Sequence, residues 1–260
     1  MPKRVLRRYL LKQPFPLALL RPLEASRYPE KPPRPSLDIG CGDGFFAQAV
    51  FGEKGITTGI DINAHIIGKA QESRAYQQVL KFDGIHIPLP DLSQQTVIAN
   101  CVLEHVDNPT ALLKEIGRVT KPGGKFFFSV PTANFESMLL GSAFFHHLHL
   151  PCLATRYGQL MSWVTRQKYY WLAPRWIRTL KQIGFSVISH EEFFSRRAMW
   201  CFDLSHWISI PALITKLLLH RWALFDSSPA KIRYAGGLRS WCLQTNNLPG
   251  AFQFFVCRKT

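Results

Sequence analysis

Three glycines and two aspartates carry the first chemical signal in this chain. Asp38-Ile39-Gly40-Cys41-Gly42-Asp43-Gly44 sets a carboxylate two residues ahead of a Gly-x-Gly-x-Gly run. Glycines lack a Cβ, so the chain turns tightly there and a ligand can approach the main chain. The next helix offers free N–H groups and a partial positive charge, which suit a carboxylate or phosphate. Asp61 lies about twenty residues beyond Gly40, the spacing at which an acid binds both hydroxyls of a ribose. His105 follows a separate apolar stretch, and its side chain suits proton transfer near neutrality.

Ser36-Leu37-Asp38-Ile39 reads as a buried strand and Phe45 to Phe51 as a helix, so the glycines form a strand-to-helix turn. A dinucleotide fingerprint would want its third glycine at position 45, where this chain has Phe, which argues against NAD or FAD. Gly55–Asp61 and Lys125–Pro131 read as further strands. An amphipathic helix over Pro109–Val119 turns Leu112, Ile116 and Val119 to the core and ends at Lys121-Pro-Gly-Gly124.

The acidic-x-Gly-x-Gly-x-Gly run resembles motif I of the class I S-adenosylmethionine-dependent methyltransferases. The resemblance extends over residues 36–131, 175–190 and 250–258, and includes Leu103-Glu104-His105-Val106 after the fourth strand. It implies an α/β fold: a Rossmann-like seven-stranded sheet flanked by helices, the seventh strand antiparallel between the fifth and sixth. It implies S-adenosylmethionine as cofactor, held by Asp38, Gly40, Cys41, Gly42, Gly44, Asp61, Ile62, Asp83, Gly84 and Asn100. In that scheme Asp83 meets the adenine amino group, and Asn100 lies at the carboxyl end of strand four, where open α/β sheets bind ligands. His105 is the candidate catalytic residue, orienting the nucleophile or taking its proton; bracing the adjacent segment is the plainer role for it.

At 260 residues and 47% hydrophobic content the chain can bury one large core, which excludes a disordered protein. The net charge of +15 favours an acidic partner, either nucleic acid or an anionic membrane surface. The six cysteines are scattered with no Cys-x-x-Cys pair, so reduced cytosolic thiols are expected, with no zinc site or secreted disulfide framework. Three histidines in His146-His147-Leu148-His149 invite a metal, yet no nearby carboxylate or cysteine completes a set. No metal is expected.

Residues 1–35 read as a basic N-terminal arm, with prolines at 29, 32, 33 and 35 making an extended connector. Phe15 to Leu20 is too short and interrupted for a secretory core. The methyltransferase domain occupies 36–260, with insertions at 132–174 and 191–249 forming a helical, aromatic-rich cap. Trp207 to Phe225 fails as a membrane span, because Pro211, Lys216, His220 and Arg221 interrupt it. An interfacial or buried helix is expected instead.

The expected activity is methyl transfer to a hydrophobic or lipid-linked small-molecule acceptor, by a cytoplasmic protein that associates peripherally with an anionic membrane. The alternatives are a transfer-RNA methyltransferase, since nucleic acid suits the same charge, and a non-catalytic S-adenosylmethionine-binding protein. Composition says nothing of oligomeric state.

Overall fold

The computed structural model describes residues 3–208 and 249–260. In chain order its elements are α1 (Lys3–Lys12), α2 (Phe15–Ala25), β1 (Ser36–Ile39), α3 (Phe45–Phe51), β2 (Ile56–Asp61), α4 (Ala64–Glu72), β3 (Tyr76–Lys81) and β4 (Gln94–Asn100). There follow α5 (Pro109–Val119), β5 (Thr120–Pro131), α6 (Leu140–His147), α7 (Pro151–Val164), α8 (Ala173–Gln182), β6 (Phe185–Phe193), α9 (Arg196–Ile208) and β7 (Phe252–Lys259). The chain divides into two compact units.

The sheet unit comprises 28–132, 166–191 and 253–260. Its strands run in the order β3-β2-β1-β4-β5-β7-β6. β1 pairs in parallel with both β2 and β4, Asp38 lying opposite Gly59 on one side and Ile98 on the other. The chain leaves β1 toward β2 and β3, then crosses back to β4. Ligands bind at the carboxyl ends of strands where the order reverses in this way. β7 lies between β5 and β6, as the resemblance implies. Ser186 meets Arg258 and His190 meets Gln253; these indices run in opposite senses, so β6 and β7 are antiparallel.

Hydrophobic periodicity accounts for the packing. Leu37, Ile39, Val97, Ala99, Phe126 and Phe128 are buried on the central strands. Phe128 stacks on Phe126 at 4.9 Å and on Phe255 at 4.6 Å. Helix α5 buries Leu112, Ile116 and Val119 at the spacing expected, and its first turn is capped by Asn108, which accepts from the Ala111 N–H at 3.0 Å. Lys121 to Gly124 does not stand apart as a turn. It forms a bulge within β5, where Gln94 pairs with Thr120 but Thr96 pairs with Lys125. Tyr169 and Trp171, read above as part of an insertion, belong to the sheet unit, where Trp171 packs on Trp176 at 4.6 Å.

The second unit comprises 1–27, 133–165 and 192–252. Residues 3–25, expected within a basic arm, form two helices. Val5, Tyr9 and Leu10 on α1 and Ala18, Leu20 and Leu23 on α2 are buried, while Arg4 and Arg7 are exposed. The basic residues are therefore the solvated face of packed amphipathic helices. Phe135, Phe193, Phe194, Phe202 and Phe252 form an aromatic core for this unit. The expected interfacial helix from Trp207 onward lies outside the described residues after Ile208.

Candidate functional site

The loop that joins β1 to α3 is built under close constraint. A Cβ on Gly40 would sit 2.6 Å from Val102 Cγ2, and one on Gly44 2.3 Å from Ser73 Oγ. Gly44 also adopts φ +75° as the residue entering α3, a left-handed conformation that favours glycine. Gly42 differs. Nothing lies within 4 Å of a Cβ built there, so its bareness serves an approach from outside the protein rather than internal packing.

Asp61 ties this loop to β2. Its Oδ2 accepts from the Gly42 N–H at 3.0 Å and its Oδ1 from the Asn63 N–H at 2.9 Å. Both oxygens are thereby oriented at the carboxyl end of the sheet. Asn63 in turn caps α4, accepting from the His65 N–H at 3.0 Å.

Asp38 lies beneath the loop, only 4% exposed. The Tyr76 hydroxyl donates to its Oδ2 at 2.7 Å. Tyr76 reaches β1 from β3 by lying across β2 at Gly59, whose missing side chain leaves room: a Cβ there would be 3.0 Å from Tyr76 Cδ1. Burial pushes Asp38 up to about 7; the Tyr76 hydrogen bond opposes that shift and the Asp61 charge adds to it. Burial likewise pushes up the Cys41 thiol, helped by Asp38 and Asp61, so Cys41 is no nucleophile.

The raised Asp38 has a consequence for stability. From about pH 4 to pH 7 the folded carboxyl holds a proton that the unfolded chain has released, so stability falls as pH rises through that window. Asp38→Asn should flatten the slope, by on the order of 1 kcal/mol per pH unit, in chemical denaturation followed across that range.

The turn after β3 carries Asp83, Gly84, Ile85 and His86. Asp83 Oδ1 accepts from the Ile85 and His86 N–H groups at 2.8 and 2.7 Å, and Oδ2 lies 2.6 Å from His86 Nδ1. The His86 bond, with those N–H groups, holds the Asp83 carboxyl down at about 2. These bonds fix the carboxylate on its own turn. Ile62 is 60% exposed, its Cγ2 3.5 Å from a Cβ built on Gly84, so an apolar side chain stands open between Asp61 and the Asp83 turn.

Asn100 Oδ1 accepts from the Tyr28 hydroxyl at 2.9 Å and from Ser129 Oγ at 3.4 Å. The next residue, Cys101, has φ +52°, a strained conformation of the kind stored at functional sites. His105 follows in a turn rather than a helix. Its Nδ1 is 2.8 Å from the Arg166 carbonyl oxygen, which makes Nδ1 the donor and directs the other lone pair to Nε2. The buried Glu104 carboxylate lies 3.9 Å from that Nε2.

The sites named from sequence thus fall on three neighbouring strand ends, β1, β2 and β4, and on the turn after β3. Sequence reasoning missed Tyr76, which lay outside every expected strand, and Tyr28, which fell within the expected basic arm. The only hint of the first is Gly59 inside a β-strand, a mark of close approach by another group. Among the described residues no group of three His, Cys, Asp or Glu could hold a metal ion, and no helix is long and apolar enough to cross a membrane.

Residues 37–128 match the Methyltransferase domain family. They are a class I methyltransferase domain. A ubiquinone biosynthesis O-methyltransferase of Coxiella burnetii is 35% identical over 108 residues, which cover 40% of this chain and 46% of that protein. The similarity therefore spans about half the length of such relatives. An S-adenosylmethionine-dependent methyltransferase of Mesorhizobium loti superposes with a TM-score of 0.55 at 16% identity, over 92% of this chain and 96% of its own. A methyltransferase of Thermotoga maritima gives 0.55 at 16%, over 98% and 93%. At such identities the structures show the methyltransferase fold alone.

Proposed function

We propose that this chain transfers a methyl group from S-adenosylmethionine to an oxygen of a hydrophobic or lipid-linked small molecule. The observation that carries the reading is the Gly42 main chain, bare on its outer side and tied to the Asp61 carboxylate. Gly40, Cys41, Gly42 and Gly44 supply backbone to the ligand, Asp61 takes the ribose hydroxyls, and Ile62 and Gly84 border the adenine, with Asp83 at its amino group. Asp38, set beneath the loop, braces it through the Tyr76 hydroxyl, and Asn100 closes the site at β4. Once bound, the cofactor supplies a methyl group on an electrophilic sulfonium, so positioning by the protein does most of the work. Oxygen as the accepting atom is suggested by the O-methyltransferase relatives.

His105 takes the acceptor's proton at Nε2 in this reading, its ring aligned by the Arg166 carbonyl. A general base contributes about 100-fold or more. His105→Ala should therefore lower turnover by at least about 100-fold while S-adenosylmethionine affinity stays at the wild-type value; full turnover would remove His105 from the reaction.

Transfer of labelled methyl into a total lipid extract, beside a total RNA extract, tests the activity. Label in the lipid fraction supports the proposal. The net charge of +15 also suits RNA, and label in RNA would establish the transfer-RNA reading instead. Cofactor binding without transfer to either extract would mark a non-catalytic relative.

A further inference from the structure

Helices α6 and α7 form a hairpin in the second unit whose outward face is more apolar than its inward one. On α7 the buried residues are Gly158, Met161 and Ser162. Leu153, Leu160 and Val164 are 41%, 46% and 48% exposed; their spacing of seven and four places them in one stripe. Trp163 beside the stripe is 77% exposed. Phe144 on α6, and Leu148 and Leu150 at the turn between the helices, are also open to solvent.

The hairpin is anchored rather than loosely attached. Asp203 on α9 accepts from the Tyr157 hydroxyl at 2.6 Å and from the Gly141 N–H at 3.0 Å. The Trp207 indole N–H donates to the same hydroxyl at 2.9 Å. Its leucines are thus displayed on a fixed support. An apolar stripe of this kind on a surface helix marks an interaction site.

Charge selects the occupant. Residues 137–165 contain no Asp or Glu. In the described part of this unit Glu24 and Asp203 are buried and Glu136 and Glu192 half-buried, each engaged within the protein: Glu24 pairs with Arg21, Glu136 accepts from the Ser162 hydroxyl, Glu192 from the Gly250 N–H, and Asp203 holds the hairpin. Arg156 on α7 is exposed, as is Arg196, which lines a pocket with His146, His147, Pro151 and Thr155 of the hairpin. A surface that joins exposed leucines and a tryptophan to basic side chains, with its carboxylates withdrawn, fits an anionic bilayer, where apolar groups enter the acyl boundary and arginines meet headgroups.

We infer that the α6–α7 hairpin is the element by which this protein docks on anionic lipid, Leu153, Leu160, Val164 and Trp163 entering the bilayer boundary. This deepens the lipid-linked acceptor reading of the previous section and shares none of its site residues. The test is co-sedimentation of the full chain with phosphatidylcholine vesicles and with vesicles containing phosphatidylglycerol, beside a variant that combines Leu153→Gln, Leu160→Gln and Trp163→Ser. Wild type should sediment with the anionic vesicles, and the variant should bind them at least about tenfold more weakly, with an unchanged circular dichroism spectrum. Methyl transfer to a detergent-dispersed acceptor should be equal in both proteins. Loss of transfer in wild type with vesicle binding intact would therefore overturn only the proposed activity and leave the docking surface supported. Equal sedimentation of variant and wild type would overturn the proposal. So would a wild type that ignores vesicles, a stripe that instead holds two copies of the chain together, or a transfer-RNA gel shift abolished by the same substitutions.

Discussion

Gly42→Val is expected to abolish S-adenosylmethionine binding in a protein that still folds. The local geometry separates the two effects. Position 42 has φ +54° and no protein atom within 4 Å of where the Cβ would point, so the first carbon of the side chain is accommodated and the left-handed backbone costs about 1–2 kcal/mol of strain. The new methyl groups fill the space through which a ligand must reach the main chain. Gly44→Val makes the instructive contrast, since its Cβ would be 2.3 Å from Ser73 Oγ and the substitution should unfold the loop itself. Asp61→Ala should weaken binding by about 1.5–3 kcal/mol, the worth of a charge-assisted hydrogen bond. Thermal unfolding read beside calorimetric titration tells loss of site from loss of fold.

Asp203→Ala carries the largest expected effect on stability. Asp203 is 1% exposed and accepts one bond from the Tyr157 hydroxyl and another from the Gly141 N–H in the first turn of α6. Its removal strands both donors. At about 1.5–3 kcal/mol for each hydrogen bond to a charged group, losing both bonds should cost about 3–5 kcal/mol. Tyr157→Phe breaks only one of the two bonds and should cost much less. Urea denaturation of the three proteins checks the ranking, and an Asp203→Ala protein as stable as wild type would show that this network does not hold the hairpin.

How far the sequence could be read depended on whether a signal was local. The Asp38 to Gly44 run compresses a strand end, a turn and a helix start into seven consecutive residues, and the family resemblance, with the α5 stripe, supplied most of the rest of the sheet. Tyr76 was not legible. Its bond to Asp38 crosses the intervening strand β2, and only the folded sheet, with the Tyr76 ring lying over Gly59, makes it visible. The N-terminal segment was misjudged for a different reason: its basic residues dominated the composition, although Val5 and Tyr9 already stood at helical spacing. The α6–α7 hairpin was unreadable because its leucines look like core residues in sequence; only their exposure reveals otherwise.

Titration of S-adenosylmethionine into the wild-type protein by calorimetry, with Gly42→Val in parallel, tests the central claim most directly. A single saturable site in wild type, competed by S-adenosylhomocysteine and absent from a folded Gly42→Val protein, is the predicted result. Undetectable binding to folded wild type, or equal affinity in the two proteins, would contradict it.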